Sequence, residues 1–182
     1  MEDADMRIGI ILLYLASIVV ANVVTARFAP LEFGAFLVPA GSVFIGATFI
    51  LRDFVQQAIG RKRTYAAILA AMLLSAATSW LLGDTLWITA ASAVTFLVSE
   101  STDTEIYSRL KLPMAWRVLY SGFAGGVIDS VLFVLIGLSP LGAGILPWEA
   151  VGSAILGQLI VKTGMQAAGA AVVRMLPVGR TA

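Results

Sequence analysis

The stretch IGIILLYLASIVVANVVTA, residues 8–26, decides how the rest of the chain is read. It carries no charge over 19 residues, close to the roughly 20 apolar residues that one helix needs to cross a hydrocarbon core. Its polar residues, Tyr14, Ser17, Asn22 and Thr25, stand singly among Ile, Leu and Val. A helix satisfies its own backbone hydrogen bonds, so such a run can lie in lipid, where an irregular segment could not.

Outward from this stretch, comparable runs recur at 36–59, 65–82, 85–108, 117–138 and 148–174. The breaks between them carry loop chemistry: Pro30, the Gly60, Arg61, Lys62, Arg63 cluster, Gly83 with Asp84, the Lys111 to Pro113 turn, and residues 140–147 with their glycines and two prolines. Of 182 residues, 59% are hydrophobic and 13% charged, whereas a soluble domain carries about a quarter charged residues. The pattern predicts an all-α polytopic membrane protein with six transmembrane helices in a single domain over 1–182, and lipid as its solvent.

Positive charge resists translocation, so Lys and Arg near span ends set orientation. Arg7, Arg61, Lys62, Arg63, Arg109, Lys111, Arg117, Arg174 and Arg180 fall on one side and only Arg27 on the other, which predicts both termini in the cytoplasm. The acidic start, Met1 to Asp5, followed by an apolar run without a small-residue cleavage site, does not resemble a signal peptide, and the first helix is expected to stay. Three spans per half would relate the halves, if they repeat, by inverted topology, with Asp53 and Asp129 in the matching middle helices. Ala67, Ala71, Ser75 and Ser79 recur at four-residue spacing, a small-residue ridge along which a neighbouring helix can approach closely. Packing within the monomer is preferred for it over a homodimer interface.

Cysteine and histidine are absent, which removes disulfides, thiolate or imidazole metal sites and histidine proton relays. No HExxH or GxSxG pattern occurs. No catalytic residue, metal or cofactor is therefore expected, and the chain is not read as an enzyme. The net charge of +1, without a basic stripe, sets nucleic acid aside as a partner.

Six ionisable residues sit inside the spans: Arg52, Asp53, Glu100, Asp103, Asp129 and Lys162. Each costs at least about 2.5 kcal/mol on insertion scales unless paired or functional. At about 1.5 Å per residue, Asp103 lies roughly 9 Å and Glu100 roughly 14 Å inward of Arg109, and Asp53 roughly 12 Å inward of Arg61. Asp129 and Lys162 fall near the midplane. Phe96, Glu100, Asp103 and Tyr107 share one helix face by their i, i+4, i+7, i+11 spacing. Glu105 points the other way and is placed at the headgroup boundary near Arg109. Two cations against four carboxylates leave a surplus of negative charge, which protons, a cation or a ligand rich in NH donors must neutralise. One shared cavity is expected to gather these groups. The competing structural reading pairs Asp129 with Lys162 and Arg52 with Glu100 or Asp103, with nothing bound. Asn22, Gln158 and Gln166 are read first as interhelical hydrogen-bonding residues. Pro39, Gly41, Gly125 and Gly126 mark either loosened helix or close packing.

The order of these positions resembles the queuosine precursor transporter family, also called the vitamin uptake transporter (VUT) family, over nearly the whole chain. The likeness rests on Ala21-Asn22, Leu51-Arg52-Asp53, the fourth-span segment Ser99-Glu100-Ser101-Thr102-Asp103 running to Tyr107-Ser108-Arg109-Leu110, then Gly126-Val127-Ile128-Asp129-Ser130 and Val161-Lys162. The resemblance implies a six-span protein of a bacterial inner membrane that takes up 7-deazaguanine precursors, the 7-cyano or 7-aminomethyl form. A carboxylate among Asp53, Glu100, Asp103 and Asp129 could accept the N1–H and amino edge as a two-point pair. Lys162 or Asn22 could donate to the carbonyl or nitrile, and Phe96, Tyr107 or Trp80 could stack on the ring. Some relatives carry an amide where this chain has Glu100, so a charge is added there and Glu100 becomes a candidate proton carrier. The alternative is a vitamin-binding subunit similar to the S components of energy-coupling-factor importers, which transports only with a partner.

Overall fold

The computed structural model describes residues 2–29, 31–34 and 36–175. Arg180 and Pro30, used above for orientation and loop assignment, lie outside them. Six helices dominate: α1 Glu2–Arg27, α2 Ser42–Ile59, α3 Arg61–Leu81, α4 Leu86–Arg109, α5 Met114–Leu132 and α6 Trp148–Met175. Between α1 and α2 lies a small antiparallel hairpin, β1 Leu31–Phe33 and β2 Phe36–Val38, and α5 runs on into a π-helical turn, Phe133–Leu138.

The helices form because each is a long apolar run free of internal proline. Their ends follow local chemistry. Thr85 caps α4, its side chain accepting from Ile88 N at 3.3 Å, and Gly60, at φ +79°, turns the chain sharply from α2 into α3. Ala4–Arg27, Arg61–Leu81 and Met114–Leu138 are long and apolar enough to cross a membrane. The other three helices carry more of the polar load: Arg52, Asp53 and Gln56 on α2, Glu100 and Asp103 on α4, Gln158, Lys162 and Gln166 on α6. All of these are buried against protein, where partners offset the cost of removing them from water. Large apolar side chains such as Leu12, Leu13, Leu73 and Ile160 point outward, each more than half exposed, as expected of surface solvated by lipid.

The second helix is the hub, packing against all five others. Around it α1 packs on α3, α3 on α4, α4 on α5 and α5 on α6. The two halves are not alike in this respect, because α4 and α6 make no contact comparable to that of α1 with α3. The small-residue ridge of α3 is buried inside the monomer, with Ala67, Ala71, Ser75 and Ser79 at 8, 0, 4 and 3% exposure. It packs with Tyr14, Ile18, Val55 and Phe96.

One boundary differs from the sequence expectation, and one pair of alternatives is decided. Residues 36–38, read as the start of the second span, form β2, and α2 begins only at Ser42. Pro39 biases the residue before it toward extended backbone, and Gly34 supplies the turn at φ +59°. Val38 is fully buried against α6, where a Cβ on Gly157 would come within 2.8 Å of Val38 Cγ2. Of the two readings of Gly125 and Gly126, close packing holds, since α5 is continuous there. A Cβ on Gly125 would meet Asp103 Cβ and Phe49 Cε1 at 3.0 Å each, so the glycine serves close packing of α2, α4 and α5.

Candidate binding cavity

A cavity of about 240 Å³ opens among all six helices. Its lining comes from the C-terminal halves of α1, α3 and α5 and the N-terminal halves of α2, α4 and α6. The mouth therefore faces the end of the bundle that holds the hairpin and Arg27, opposite the Arg61, Lys62, Arg63 cluster.

The floor is an ion pair with a polar collar. Lys162 Nζ lies 2.5 Å from Asp129 Oδ2, 2.9 Å from Gln158 Oε1 and 3.2 Å from Ser130 Oγ. Asp129 Oδ1 accepts a longer bond, 3.4 Å, from Ser99 Oγ. Lys162 and Asp129 are 2% and 8% exposed, so their charges are matched in a region that water hardly reaches. Phe96 and Thr95 of α4 and Asn22 of α1 stand on the walls above.

Beneath the floor lies a second polar cluster that does not line the cavity. The buried Arg52 guanidinium is shared by three carboxylates: Nη1 is 2.8 Å from Asp53 Oδ1, Nε is 3.2 Å from Glu100 Oε2, and Nη2 pairs with Asp103. Gln56 Oε1 accepts from Nη1 at 3.1 Å. The contacts to Asp53 and Asp103 are close but poorly aligned, so no oxygen of either carboxylate accepts a well-directed hydrogen bond. Tyr107 sits below with its ring under the Arg117 guanidinium at 3.9 Å, and its carbonyl accepts from Arg117 Nε at 3.0 Å. Charge balance thus differs between the tiers. The upper pair is neutral, and the carboxylate surplus gathers around Arg52.

The expectation of one shared cavity is corrected accordingly. Asn22, Phe96, Asp129, Lys162 and Gln158 meet at the cavity, whereas Asp53, Glu100, Asp103 and Tyr107 gather with Arg52 below it. The α4 face was read correctly as one face, but Phe96 to Tyr107 is roughly 16 Å along the helix, so its upper end reaches the cavity and its lower end the Arg52 cluster. Asn22 donates to Ser75 O at 3.1 Å, Ser75 Oγ at 3.2 Å and Thr78 Oγ1 at 2.6 Å, tying α1 to α3. Gln166 donates to Gly46 O at 3.0 Å and fills the space that Gly122 leaves without a Cβ. Trp80 is 54% exposed and absent from the cavity wall, so it does not stack there. Glu105 pairs at the helix end with Arg61, Arg109 and the Tyr65 hydroxyl. Sequence reasoning missed Ser92 and Thr95, which with Phe96 and Ser99 make a polar stripe at i, i+3, i+4 and i+7. Among the described residues no cluster of acidic side chains is arranged to hold a metal ion.

The family model described as "Putative vitamin uptake transporter" matches residues 76–176. That stretch runs from the last turns of α3 to the end of α6. It contains the cavity floor and the α4 members of the lower cluster, while Asn22, Arg52 and Asp53 precede it. Neither the curated proteins nor the solved structures yield a match.

Proposed function

The chain belongs to the vitamin uptake transporter family, and from that premise we propose that it imports a 7-deazaguanine precursor of queuosine, the 7-cyano or 7-aminomethyl form, through the cavity above Asp129 and Lys162. The observation that carries this reading is a cavity of about 240 Å³ lined by both a buried carboxylate, Asp129, and an aromatic ring, Phe96. A deazaguanine presents N1–H and its amino group side by side, an edge that one carboxylate accepts at two points, and a flat ring that Phe96 can cover.

On this reading the six helices form one domain over residues 1–182 that spans a bacterial inner membrane six times, with both termini cytoplasmic and the cavity open to the outside. The Arg52 cluster closes the cytoplasmic half. Its surplus carboxylates are neutralised by protons, which would couple uptake to proton entry. Asp53, Glu100, Asp103 and Tyr107 then belong to the translocation path, met by the ligand after the closure parts.

The test is binding of 7-cyano-7-deazaguanine to the purified, detergent-solubilised protein, by calorimetry, alongside guanine, biotin and thiamine. Saturable binding of the deazaguanine that Asp129→Asn abolishes is the expected result. Binding of a vitamin with none of the deazaguanine would refute the substrate assignment and favour the S-component alternative.

A further inference from the structure

At the cavity floor Lys162 looks like the natural donor to a ligand carbonyl, yet its hydrogens are already committed. An ammonium group has three N–H donors, and Nζ has three protein acceptors: Asp129 Oδ2, Gln158 Oε1 and Ser130 Oγ. The bond to Gln158 also settles the direction of that amide. Lysine only donates, so the atom of Gln158 facing it must be the oxygen, and the NH2 group must point elsewhere. Gln158 Nε2 has no protein partner, although the residue is only 2% exposed and forms part of the cavity wall. On the wall above, Thr95 repeats the situation. It is 1% exposed, lies on the wall beside Phe96, and its Oγ1 has no partner. Buried polar atoms left without partners are costly and rare in folded proteins. Here two of them line the same cavity as the carboxylate proposed to hold the ligand.

We propose that Gln158 and Thr95, not Lys162, hydrogen-bond the acceptor groups of the carried heterocycle, and that Lys162 is a positioning residue that clamps Asp129 and Gln158 in place. This rests on the cavity being the ligand site. Asp129 then takes the NH edge, using the lone pairs left free by its long bond from Ser99. The Gln158 amide donates to the neighbouring 6-oxo group, and Thr95 supplies a hydroxyl able to donate or accept. The site selects a ligand that carries an NH donor edge next to a carbonyl, and it discriminates against the same ring with a weaker acceptor, such as a thione, in place of that carbonyl.

The decisive comparison is 7-cyano-7-deazaguanine against its 6-thio analogue, which keeps N1–H and replaces the carbonyl oxygen by a weaker acceptor, titrated calorimetrically into the unaltered protein and into Gln158→Glu and Thr95→Val. The Gln158→Glu substitution keeps an oxygen for Lys162, removes the NH2 donor and adds a carboxylate charge, so Gln158→Leu, which removes the donor without that charge, is titrated beside it. The unaltered protein should prefer the oxo compound by about tenfold or more. Both Gln158 variants should bring that preference close to unity, and Thr95→Val should reduce it. An unchanged preference in all three variants, with Lys162→Met alone abolishing it, overturns the assignment. If the unaltered protein binds neither compound, the substrate reading falls and this inference with it. If it binds both equally, the substrate reading stands and this inference alone falls.

Discussion

Replacing Lys162 by methionine tests whether the floor of the cavity is held by a coupled ion pair. The substitution keeps an unbranched side chain of similar reach and removes the three hydrogen bonds of Nζ. Asp129 would retain only the 3.4 Å bond from Ser99. Leaving one charge of a buried pair without its partner costs about 3–5 kcal/mol. For a chain of this size each kcal/mol moves the unfolding midpoint by roughly 2–4 °C, so Lys162→Met should melt about 6–20 °C below the unaltered protein. Asp129→Asn should cost less, because the ammonium keeps Gln158 and Ser130 as acceptors. The double variant carries no buried charge at the floor and should recover stability, with a coupling energy of about 2 kcal/mol relative to the sum of the single losses. Thermal unfolding in one detergent, followed by intrinsic tryptophan fluorescence, measures all four proteins. Losses that simply add, to within about 0.5 kcal/mol, would refute the reasoning, since the pair would then act as two independent side chains. Uptake should be lost in either single variant, and normal uptake by a well-expressed double variant would contradict the role given to the floor.

Three further outcomes are expected. Arg52→Met removes the guanidinium shared by Asp53, Glu100 and Asp103 and should lower the midpoint further than Lys162→Met, with partial rescue by an added Glu100→Gln; no rescue would argue against charge as the cause. Gly125→Ala should destabilise by about 1–3 kcal/mol through overpacking against Asp103 and Phe49, whereas Gly152→Ala, with nothing within 4 Å of its added Cβ, should not; equal effects would discount the packing argument. Because the chain has no cysteine, single introduced cysteines report sidedness directly: Lys62→Cys should react with an impermeant thiol reagent only from the cytoplasmic side and Leu141→Cys only from outside, and the reverse pattern would overturn the orientation.

The helices were legible because their cause is written locally: an apolar run such as residues 8–26 has few other ways to satisfy its backbone in lipid. The hairpin was not, since Phe36, Leu37 and Val38 are as apolar as any helical turn and only Pro39 hints that they stay extended. For the site, the inventory of buried charges was visible, as was the competing reading in which Arg52 and Lys162 take carboxylate partners. Their separation into two tiers was hidden, because helical spacing reports which face a residue occupies and not what packs against it. Asp53 and Asp129 looked equivalent in the sequence, yet the first shares Arg52 with two other carboxylates and the second has Lys162 to itself. Thr95 was overlooked for a similar reason. A threonine in an apolar helix ordinarily bonds to its own backbone one turn back, as Thr102 does with Val98 O at 2.8 Å, and only the three-dimensional arrangement reveals that Thr95 does not.

The π turn at the end of α5 has a geometric consequence for the cavity mouth. In an α-helix, residues five apart stand about 140° from each other around the axis, so Phe133 and Leu138 could not face the same space. The wider turn, closed by Ser139 N on Val134 O at 2.8 Å, rotates the second toward the first, and both reach the cavity wall. The Ile136 carbonyl, which has no helical partner because residue 140 is proline, is taken up by Trp87 Nε1 at the start of α4 at 2.7 Å. One extra residue in a helix thus brings a second apolar side chain to the rim, beside a helix end that Trp87 latches to α4.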